Sequence, residues 1–314
     1  MPKVLITTSS FNVAAADSLA RLSQAGYEVV ANPHGRKLTE DEVAALLGDD
    51  VVGMVAGTEP LTRRVLSDAR SLKVVSRCGI GLDSVDLAAA RELGIEVTNT
   101  PDAPSAAVAE LTLGLMLDQL RRISQADRQI RAGQWKPLMG GLLAARTVGI
   151  VGYGRIGRRV AKLAQAFGAR VLASDALGFE PDGIAEANAL ESLLAQADIV
   201  TLHMPSQKKA GYFFDAARIG LMKRGAVLIN TARGDLVEEA ALAQAIRDGR
   251  LGGAALDTYE KEPYAGPLAE LPQVVLTAHM GSYAEESRGI MEREAADNLY
   301  KGLAARGLVA GRAA

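Results

Sequence analysis

A glycine-rich segment at residues 147–157 constrains the fold more than any other part of the chain. It forms a short apolar strand pattern followed by Gly152, Gly154 and Gly157 in the spacing G-x-G-x-x-G. An amphipathic helix pattern and a second apolar strand, which ends in Asp175, come next. The first Gly permits a tight turn, the second lets the backbone approach a pyrophosphate, and the third lets the helix pack closely on the strand. The segment therefore predicts a dinucleotide site at a helix amino terminus, where free N–H groups and the helix dipole favour phosphates.

Asp175 predicts which dinucleotide is bound. It follows Gly157 by about 20 residues, at the end of the second strand, where an acid accepts hydrogen bonds from the adenine-ribose hydroxyls and repels a 2′-phosphate. We therefore predict NAD rather than NADP as the cofactor. With 32 Gly among 314 residues, the glycine spacing alone is a weak signal, so the prediction depends on the strand, the helix and the acid occurring together.

The composition bounds the class of protein. A chain of 314 residues is long enough for two domains, and 48% hydrophobic but only 4% aromatic residues suit the Ala, Val, Leu and Ile cores of parallel sheets. A net charge of −2 gives no support for a nucleic-acid or anionic-membrane partner. No amino-terminal signal peptide is visible, and no apolar stretch approaches the ~20 residues that span a bilayer. The single Cys78 excludes an internal disulfide and a multi-Cys metal site. We expect a cytoplasmic protein without a metal.

Strand and helix patterns alternate along the chain, which predicts an α/β fold of two Rossmann-like, doubly wound parallel sheets. Predicted strands lie at 3–7, 27–31, 51–56, 72–76 and 96–99, and after the glycine segment at 199–203, 226–230, 253–257 and 274–277. One long helix is predicted from 105 to about 133. The last helix, from 284 to about 303, has no strand after it, so we expect it to pack on the first array. The predicted domains are therefore a discontinuous, flavodoxin-like substrate domain (1–99 plus 285–314) and an NAD-binding Rossmann domain (100–284).

Three polar segments follow strands of the second array, at the carboxyl ends where open α/β sheets bind ligands. The first contains Arg233, whose planar guanidinium can hold a carboxylate. The second contains Asp257 and Glu262, and the third contains His279. Removing a hydroxyl proton during hydride transfer requires a base, and His titrates near neutral pH. The pattern predicts a dehydrogenase site.

These motifs also carry a family resemblance over nearly the whole length. The chain resembles the D-isomer-specific 2-hydroxyacid dehydrogenases, and especially their phosphoglycerate dehydrogenase branch. The matching motifs are Gly79-Ile-Gly81-Leu-Asp83, the glycine motif with Asp175, Thr231-Ala-Arg233-Gly with Leu236-Val237, Glu262-Pro263 and His279-Met-Gly281.

The resemblance implies a role for each matching position. Arg233 binds the substrate carboxylate and carbonyl oxygen, Glu262 hydrogen-bonds the histidine, and His279 is the acid/base. The implied cofactor residues are Gly152, Gly154, Arg155, Ile156, Gly157, Asp175, His203, Pro205, Thr231, Ala232, Asp257, His279 and Gly281. Among these, Asp257 holds the nicotinamide carboxamide. The implied substrate residues are Arg233 and the backbone of Cys78, Gly79, Ile80 and Gly81. The family also implies a homodimer, formed through residues 105–145.

Several residues have alternative interpretations. Glu260 competes with Glu262 as the partner of the histidine, and Arg233 could cap a helix or pair with Asp235. His203 is assigned to a cofactor loop rather than to catalysis. We interpret Cys78 as a small packed residue, because no base is placed beside it.

The substrate is left open between phosphoglycerate and another small D-2-hydroxy acid. Where phosphoglycerate dehydrogenases usually carry basic residues, this chain has Glu59, and an acid there would repel a phosphate unless it points away. A second acidic group on the substrate could instead be bound by Arg63, Arg64, Arg77 or a residue of the partner subunit. The rival function is a non-catalytic NAD(H)-sensing protein, similar to corepressors of the same fold.

Overall fold

A computed structural model describes residues 1–207 and 211–309, and the chain divides into two compact units. Unit 1 comprises Met1–Pro104 and Ser282–Ala314, and unit 2 comprises Ser105–Gly281. The predicted division differs from this by a few residues, because residues 100–104 and 282–284 belong to unit 1. Within the described part of the chain, every helix is too short or too polar to cross a bilayer.

Unit 1 is built on a five-stranded parallel sheet. Its strands are β1 (Lys3–Ile6), β2 (Glu28–Ala31), β3 (Val51–Ala56), β4 (Val74–Arg77) and β5 (Glu96–Asn99), in the order β2-β1-β3-β4-β5. Its helices are α1 (Asp17–Gln24), α2 (Glu40–Leu46), α3 (Arg63–Asp68), α4 (Leu87–Glu92) and, from the end of the chain, α11 (Glu285–Ala305). This strand order is that of flavodoxin-like sheets. The last helix packs on β3 and β4, and Gly53 permits the contact, since a Cβ there would lie 2.6 Å from Leu299.

Unit 2 is built on a seven-stranded parallel sheet. Its strands are β6 (Thr147–Val151), β7 (Arg170–Ser174), β8 (Glu186–Ala187), β9 (Ile199–Leu202), β10 (Val227–Asn230), β11 (Gly253–Leu256) and β12 (Val274–Leu276). Their order is β12-β11-β10-β9-β6-β7-β8, which is the Rossmann order with one further strand. Its helices are α5 (Ser105–Arg121), α6 (Ile123–Arg131), α7 (Arg155–Ala166), α8 (Leu190–Gln196), α9 (Ala216–Leu221) and α10 (Glu239–Arg247). The predicted fold class, two parallel-sheet α/β domains, is confirmed.

The prediction of one helix from 105 to 133 was wrong. Two helices, α5 and α6, occupy this region, and Arg122 between them has a left-handed backbone with φ 55°. The carboxylate of Asp118 accepts hydrogen bonds from the Ser124 amide, at 2.8 Å, and from the Ser124 hydroxyl. These bonds cap the start of α6 from the last turn of α5 and fix the break, which has no Gly or Pro to mark it in the sequence.

Candidate active site

The glycine segment forms a tight loop between β6 and α7. Gly152 has φ 94°, and a Cβ there would lie 2.5 Å from the carbonyl oxygen of His203. A Cβ at Gly157 would lie 2.2 Å from the carbonyl oxygen of Gly152, so the helix packs directly on the turn. Gly154 differs, because nothing lies within 4 Å of its Cβ position. That open space beside the amino terminus of α7 fits a pyrophosphate group.

The carboxylate of Asp175 is fixed at the end of β7. One oxygen accepts a hydrogen bond from the Tyr153 amide at 2.7 Å, and the other accepts one from the Leu177 amide at 2.9 Å. The Tyr153 bond joins the acid to the glycine loop itself. A cavity of about 340 Å³ adjoins Asp175, with Phe179 and Asn188 in its lining. These features place an oriented acceptor beside a space where an adenosine could lie.

A small cluster around Tyr153 was not predicted from the sequence. Its ring lies 4.2 Å from the Phe179 ring, and the Arg158 guanidinium lies 4.6 Å from its centroid. The Tyr153 hydroxyl donates to Asp182 at 2.8 Å, and Arg158 bonds to the same carboxylate at 3.1 Å. The cluster therefore fastens residues near 179–182 over the start of α7. The only sequence signal was that Tyr153 lies between two of the motif glycines.

Arg233 lies in a turn that is held by hydrogen bonds of the Asn230 side chain. The Asn230 side chain accepts from the Ala232 amide at 3.0 Å and donates to the Arg233 carbonyl at 2.8 Å. Gly234 lies against the 257–260 segment, since a Cβ there would be 1.8 Å from the carbonyl carbon of Tyr259. This turn can therefore carry only Gly after the arginine, which explains the Arg-Gly pair.

Asp257 is buried, with 1% of its surface exposed, and it holds the loop that carries His279. One carboxylate oxygen accepts from the Thr277 hydroxyl at 2.6 Å and from the Met280 amide at 2.9 Å. The other accepts from the Gly281 amide at 2.8 Å. These bonds hold His279 in a left-handed backbone conformation with φ 52°, which is rare for a residue with a Cβ. Asp257 therefore supports the loop that carries His279.

His279 and Glu262 form a close pair. The imidazole Nδ1 lies 3.0 Å from both carboxylate oxygens of Glu262, and 44% of the His279 side chain is exposed. The Glu262 carboxylate also accepts from the Tyr259 amide at 3.2 Å. The competing acid, Glu260, accepts from the Tyr212 hydroxyl at 2.8 Å. The structure therefore pairs the histidine with Glu262.

Comparison with known proteins identifies this arrangement. Residues 113–281 match the model of the D-isomer specific 2-hydroxyacid dehydrogenase, NAD binding domain. The chain belongs to the D-isomer specific 2-hydroxyacid dehydrogenases. The predicted family and the NAD cofactor are thereby confirmed.

The relatives of this dehydrogenase carry different substrate names. It is 39% identical over 298 residues to D-3-phosphoglycerate dehydrogenase of Methanocaldococcus jannaschii, covering 92% of this chain but 55% of that protein. It is 35% identical over 272 residues to hydroxypyruvate reductase of Thermotoga maritima, covering 85% of this chain and 89% of that one. The chain thus spans about half of the first relative and most of the second.

Solved structures agree on the fold of the dehydrogenase. The TT0316 protein from Thermus thermophilus has a TM-score of 0.88 at 38% identity, covering 96% of this chain and 97% of that one. A glyoxylate reductase from Paecilomyes thermophila has a TM-score of 0.86 at 28% identity, covering 98% and 97%.

The predicted cofactor and catalytic residues of the dehydrogenase all follow carboxyl ends of strands in unit 2 or lie at the start of α7. The glycine loop follows β6, Asp175 follows β7, and the remaining predicted residues follow β9, β10, β11 and β12. Among them, Thr231 is buried and lies 2.9 Å from the Thr112 hydroxyl of α5. A cavity of about 670 Å³ lies elsewhere in unit 2, at the amino ends of the strands beside Val227 and Gly252. Among residues 1–207 and 211–309, no three His, Cys, Asp or Glu side chains group as metal ligands.

In unit 1 of the dehydrogenase, the segment Cys78 to Gly81 follows β4 and is fixed by the end of β5. The Gly79 amide donates to the Thr100 hydroxyl at 2.8 Å, and the Asn99 side chain donates to the Ile80 carbonyl at 2.8 Å. Cys78 is buried, and burial raises the pKa of its thiol to about 11. A thiol that stays protonated at neutral pH is a packed residue and not a nucleophile.

The sequence left open whether Glu59 would repel a phosphate group of the substrate. In the structure its carboxylate points away from solvent. Only 1% of its surface is exposed, its carboxylate accepts a hydrogen bond from the Thr7 hydroxyl, and it accepts another from the Gly57 amide at 3.0 Å. Because this carboxylate is turned under its own loop, it does not by itself repel a phosphorylated substrate.

Two glycine substitutions are expected to separate cofactor binding from folding. In Gly154→Ala the methyl group enters open space, so we expect native stability but an NADH dissociation constant raised about tenfold or more by obstruction of the pyrophosphate. In Gly157→Ala the methyl group meets the Gly152 carbonyl, and overpacking is expected to cost about 1–3 kcal/mol of stability. Thermal unfolding and NADH fluorescence titration measure both effects. Equal destabilisation by the two substitutions would contradict this geometry.

His203 is expected to make the dehydrogenase less stable in acid. Burial lowers the pKa of its imidazole to about 3, its Nε2 lies 3.0 Å from the Thr201 hydroxyl, and its buried Nδ1 has no hydrogen-bond partner within the described residues. An unfolded His titrates near pH ~6.5. Between about pH 6.5 and 3, therefore, the unfolded chain binds a proton that the folded chain does not, and the free energy of unfolding falls by up to ~1.4 kcal/mol per pH unit. In urea unfolding between pH 7 and pH 4, the free energy of unfolding should fall less for His203→Gln than for the wild-type protein. Parallel curves for the two proteins would refute this.

Proposed function

We propose that this dehydrogenase interconverts a small D-2-hydroxy acid and its 2-keto acid, with NAD as the hydride carrier. The observation that carries the proposal is the His279–Glu262 pair on a loop held by Asp257. Because a carboxylate faces Nδ1, that nitrogen carries the proton and Nε2 is left to exchange a proton with the substrate. When bound, NAD supplies or accepts the hydride.

The other residues of the site have supporting roles in this proposal. Arg233 holds the substrate carboxylate and polarises the carbonyl oxygen through its guanidinium. The glycine loop and Asp175 bind the pyrophosphate and the adenine ribose, and the acid favours NAD over NADP. In unit 1, the backbone amides of Ile80 and Gly81 are proposed to bind the substrate.

A screen of NADH oxidation tests the proposed activity. The panel contains glyoxylate, hydroxypyruvate, 3-phosphohydroxypyruvate, oxaloacetate and sulfopyruvate, each with NADH and with NADPH. We expect turnover of at least one acid, with NADH preferred. Tight NADH binding without turnover of any acid would overturn the proposal and favour the non-catalytic sensor.

We also propose a homodimer formed through residues 105–145. This region exposes large apolar side chains, including Trp135 and Met139, each 90% exposed, and Ile123, Ile130 and Leu142. Exposed apolar groups in one segment are typical of a surface that a partner covers.

Analytical sedimentation is expected to give a molecular mass twice the 32.9 kDa of the single chain. Trp135→Ser combined with Met139→Ser should weaken the dimer, because both changes remove apolar area from the proposed interface. Leu177→Ser is the matched control, since Leu177 is also an exposed apolar residue but lies outside the segment. A wild-type monomer at micromolar concentration would contradict the proposal.

A further inference from the structure

The cavity of about 670 Å³ in unit 2 lies apart from the residues of the proposed reaction. It is at the amino edge of the sheet, where β6, β10, β11 and β12 begin, and it is lined there by Arg146, Val227, Gly252 and Gln273. The strands β6 and β10 have five and four residues, which separates the two edges of the sheet by roughly 13–17 Å at ~3.3 Å per residue. A ligand in this cavity would therefore touch neither the glycine loop nor Arg233, which follow the carboxyl ends.

Hydrogen bonds hold the walls of the cavity in place. The Gln119 side chain, in the last turns of α5, donates to the Ala254 carbonyl at 2.7 Å and to the Gln273 carbonyl at 3.2 Å. The Gly141 amide donates to the Leu120 carbonyl at 2.9 Å. The end of α5 and the segment 139–141 are thus fixed against each other and against the strand ends, so the cavity is formed by the fold itself.

Positive charge is concentrated in this cavity. Five cationic side chains line it, those of Arg122, Arg128, Arg146, Lys223 and Arg224. Within residues 1–207 and 211–309, Lys223 is the only one of the five that forms an ion pair with a carboxylate. The four arginines therefore have charges that the described protein groups do not pair.

The two carboxylates that also line the cavity are occupied by protein groups. Asp198 accepts hydrogen bonds from the Lys223 ammonium at 2.7 Å and from the Thr147 amide at 2.9 Å. Asp118 accepts two hydrogen bonds from Ser124, through its amide and its hydroxyl. Five cations against two carboxylates leave an excess of three positive charges, and a concave surface lined by one sign of charge attracts the opposite sign.

Arg146 gives the most specific evidence for an anion. Its backbone is fixed just before β6, because its amide donates to the Leu143 carbonyl at 2.9 Å and its carbonyl accepts from the Arg170 amide at 3.2 Å. Its guanidinium lies against Gly141, where a Cβ would be 2.4 Å from one of its terminal nitrogens. The Nε atom is buried and has no hydrogen-bond partner among the described residues. A buried charged donor without an acceptor is costly, and an anionic oxygen would supply the acceptor.

We propose that this cavity binds a small molecule that carries at least two phosphate or carboxylate groups. Four unpaired arginines can hold more than one anionic group, and the planar guanidinium matches the oxygens of both kinds of group. The volume is within the ~300–1,000 Å³ of small-molecule sites. This inference goes beyond the proposed function and does not depend on it.

Isothermal titration calorimetry of the NADH-bound protein, at constant ionic strength, tests the proposal with two probes, pyrophosphate and citrate. NADH fills the pyrophosphate site of the glycine loop, so the fluorescence of bound NADH should persist while a probe binds. We expect one site per chain for at least one probe, and no binding of acetate, which carries a single charge. The probe that binds more tightly shows whether the ligand is phosphorylated or a polycarboxylate.

Substitution of the lining arginines locates the site. Arg146→Gln should raise the dissociation constant of the probe about tenfold or more, because charge-assisted hydrogen bonds are lost. The double variant Arg122→Gln with Arg224→Gln should have a similar effect. Both side chains are exposed, so this variant carries the test if Arg146→Gln does not fold. Arg247→Gln is the matched control and should bind as the wild-type protein does, since Arg247 lies outside the cavity, 3.2 Å from Glu270.

Three results would overturn the inference. The first is that neither probe binds, and it leaves the proposed dehydrogenase activity untouched. The second is an equal loss of binding in Arg247→Gln, which would show that the anion is attracted by the general surface. The third is that Arg146→Gln sediments as a monomer, without any probe, while the wild-type protein is a dimer, because the cavity would then be filled by the partner copy.

Discussion

Replacing His279 with Asn is expected to lower kcat/KM for keto-acid reduction by about 10²- to 10⁴-fold, the usual contribution of a positioned acid/base group. The reason is the geometry of its ring, since Glu262 holds Nδ1 at 3.0 Å and the other nitrogen is left to transfer the proton. Asn is the suitable replacement because it tolerates the left-handed backbone that His279 adopts at φ 52°. The loop should therefore keep its shape while the titrating group is lost.

Steady-state kinetics and NADH titration together measure this effect. The NADH dissociation constant should change little, which would separate lost chemistry from lost binding. His34→Asn is the control, because His34 is an exposed residue of unit 1 outside the predicted site, 3.9 Å from Glu42. Retention of a tenth or more of the wild-type rate by His279→Asn would show that another group transfers the proton.

The sequence predicted well what depends on local geometry. The glycine spacing marks positions where a Cβ would collide with nearby backbone, as at Gly157 against Gly152, and this collision is visible in the structure. Strand and helix periodicity predicted both parallel sheets, because fully buried strands are continuous apolar runs. These features need only residues that are close together in the chain.

The sequence predicted less where distant residues decide the outcome. Glu59 turns inward because of Thr7, which is 52 residues away. The break at Arg122 was missed for a different reason, because it depends on a local side-chain cap from Asp118 to Ser124 rather than on a Gly or Pro.

The partnership of His279 with Glu262 spans 17 residues, and only the family resemblance selected that acid over Glu260. Asp257 shows the same limit. The resemblance assigned it to the nicotinamide, while in the structure its carboxylate accepts three hydrogen bonds from the histidine loop. The assigned roles of the site residues stay predictions until they are measured.

Replacing Arg233 with Ala is expected to lower kcat/KM by about 10²- to 10³-fold, as loss of one group that stabilises the developing charge does elsewhere. The turn that carries the side chain is built by Asn230 and Gly234, and the guanidinium adds one hydrogen bond to the Ala232 carbonyl at 2.7 Å, so the fold should survive its loss. Arg233→Lys should recover only part of the loss, because an ammonium supplies charge without the planar pair of donors that matches a carboxylate.

Arg247→Ala provides the control for removal of a guanidinium from unit 2. Arg247 is a surface residue that lies 3.2 Å from Glu270, and its loss should change neither kcat nor KM. The KM for the keto acid should rise in Arg233→Ala together with the fall in kcat, since the same side chain is proposed to hold the carboxylate and polarise the carbonyl. A change in KM alone would mean that Arg233 binds the substrate without stabilising the transition state, and the proton transfer by His279 would then have to proceed without that polarisation.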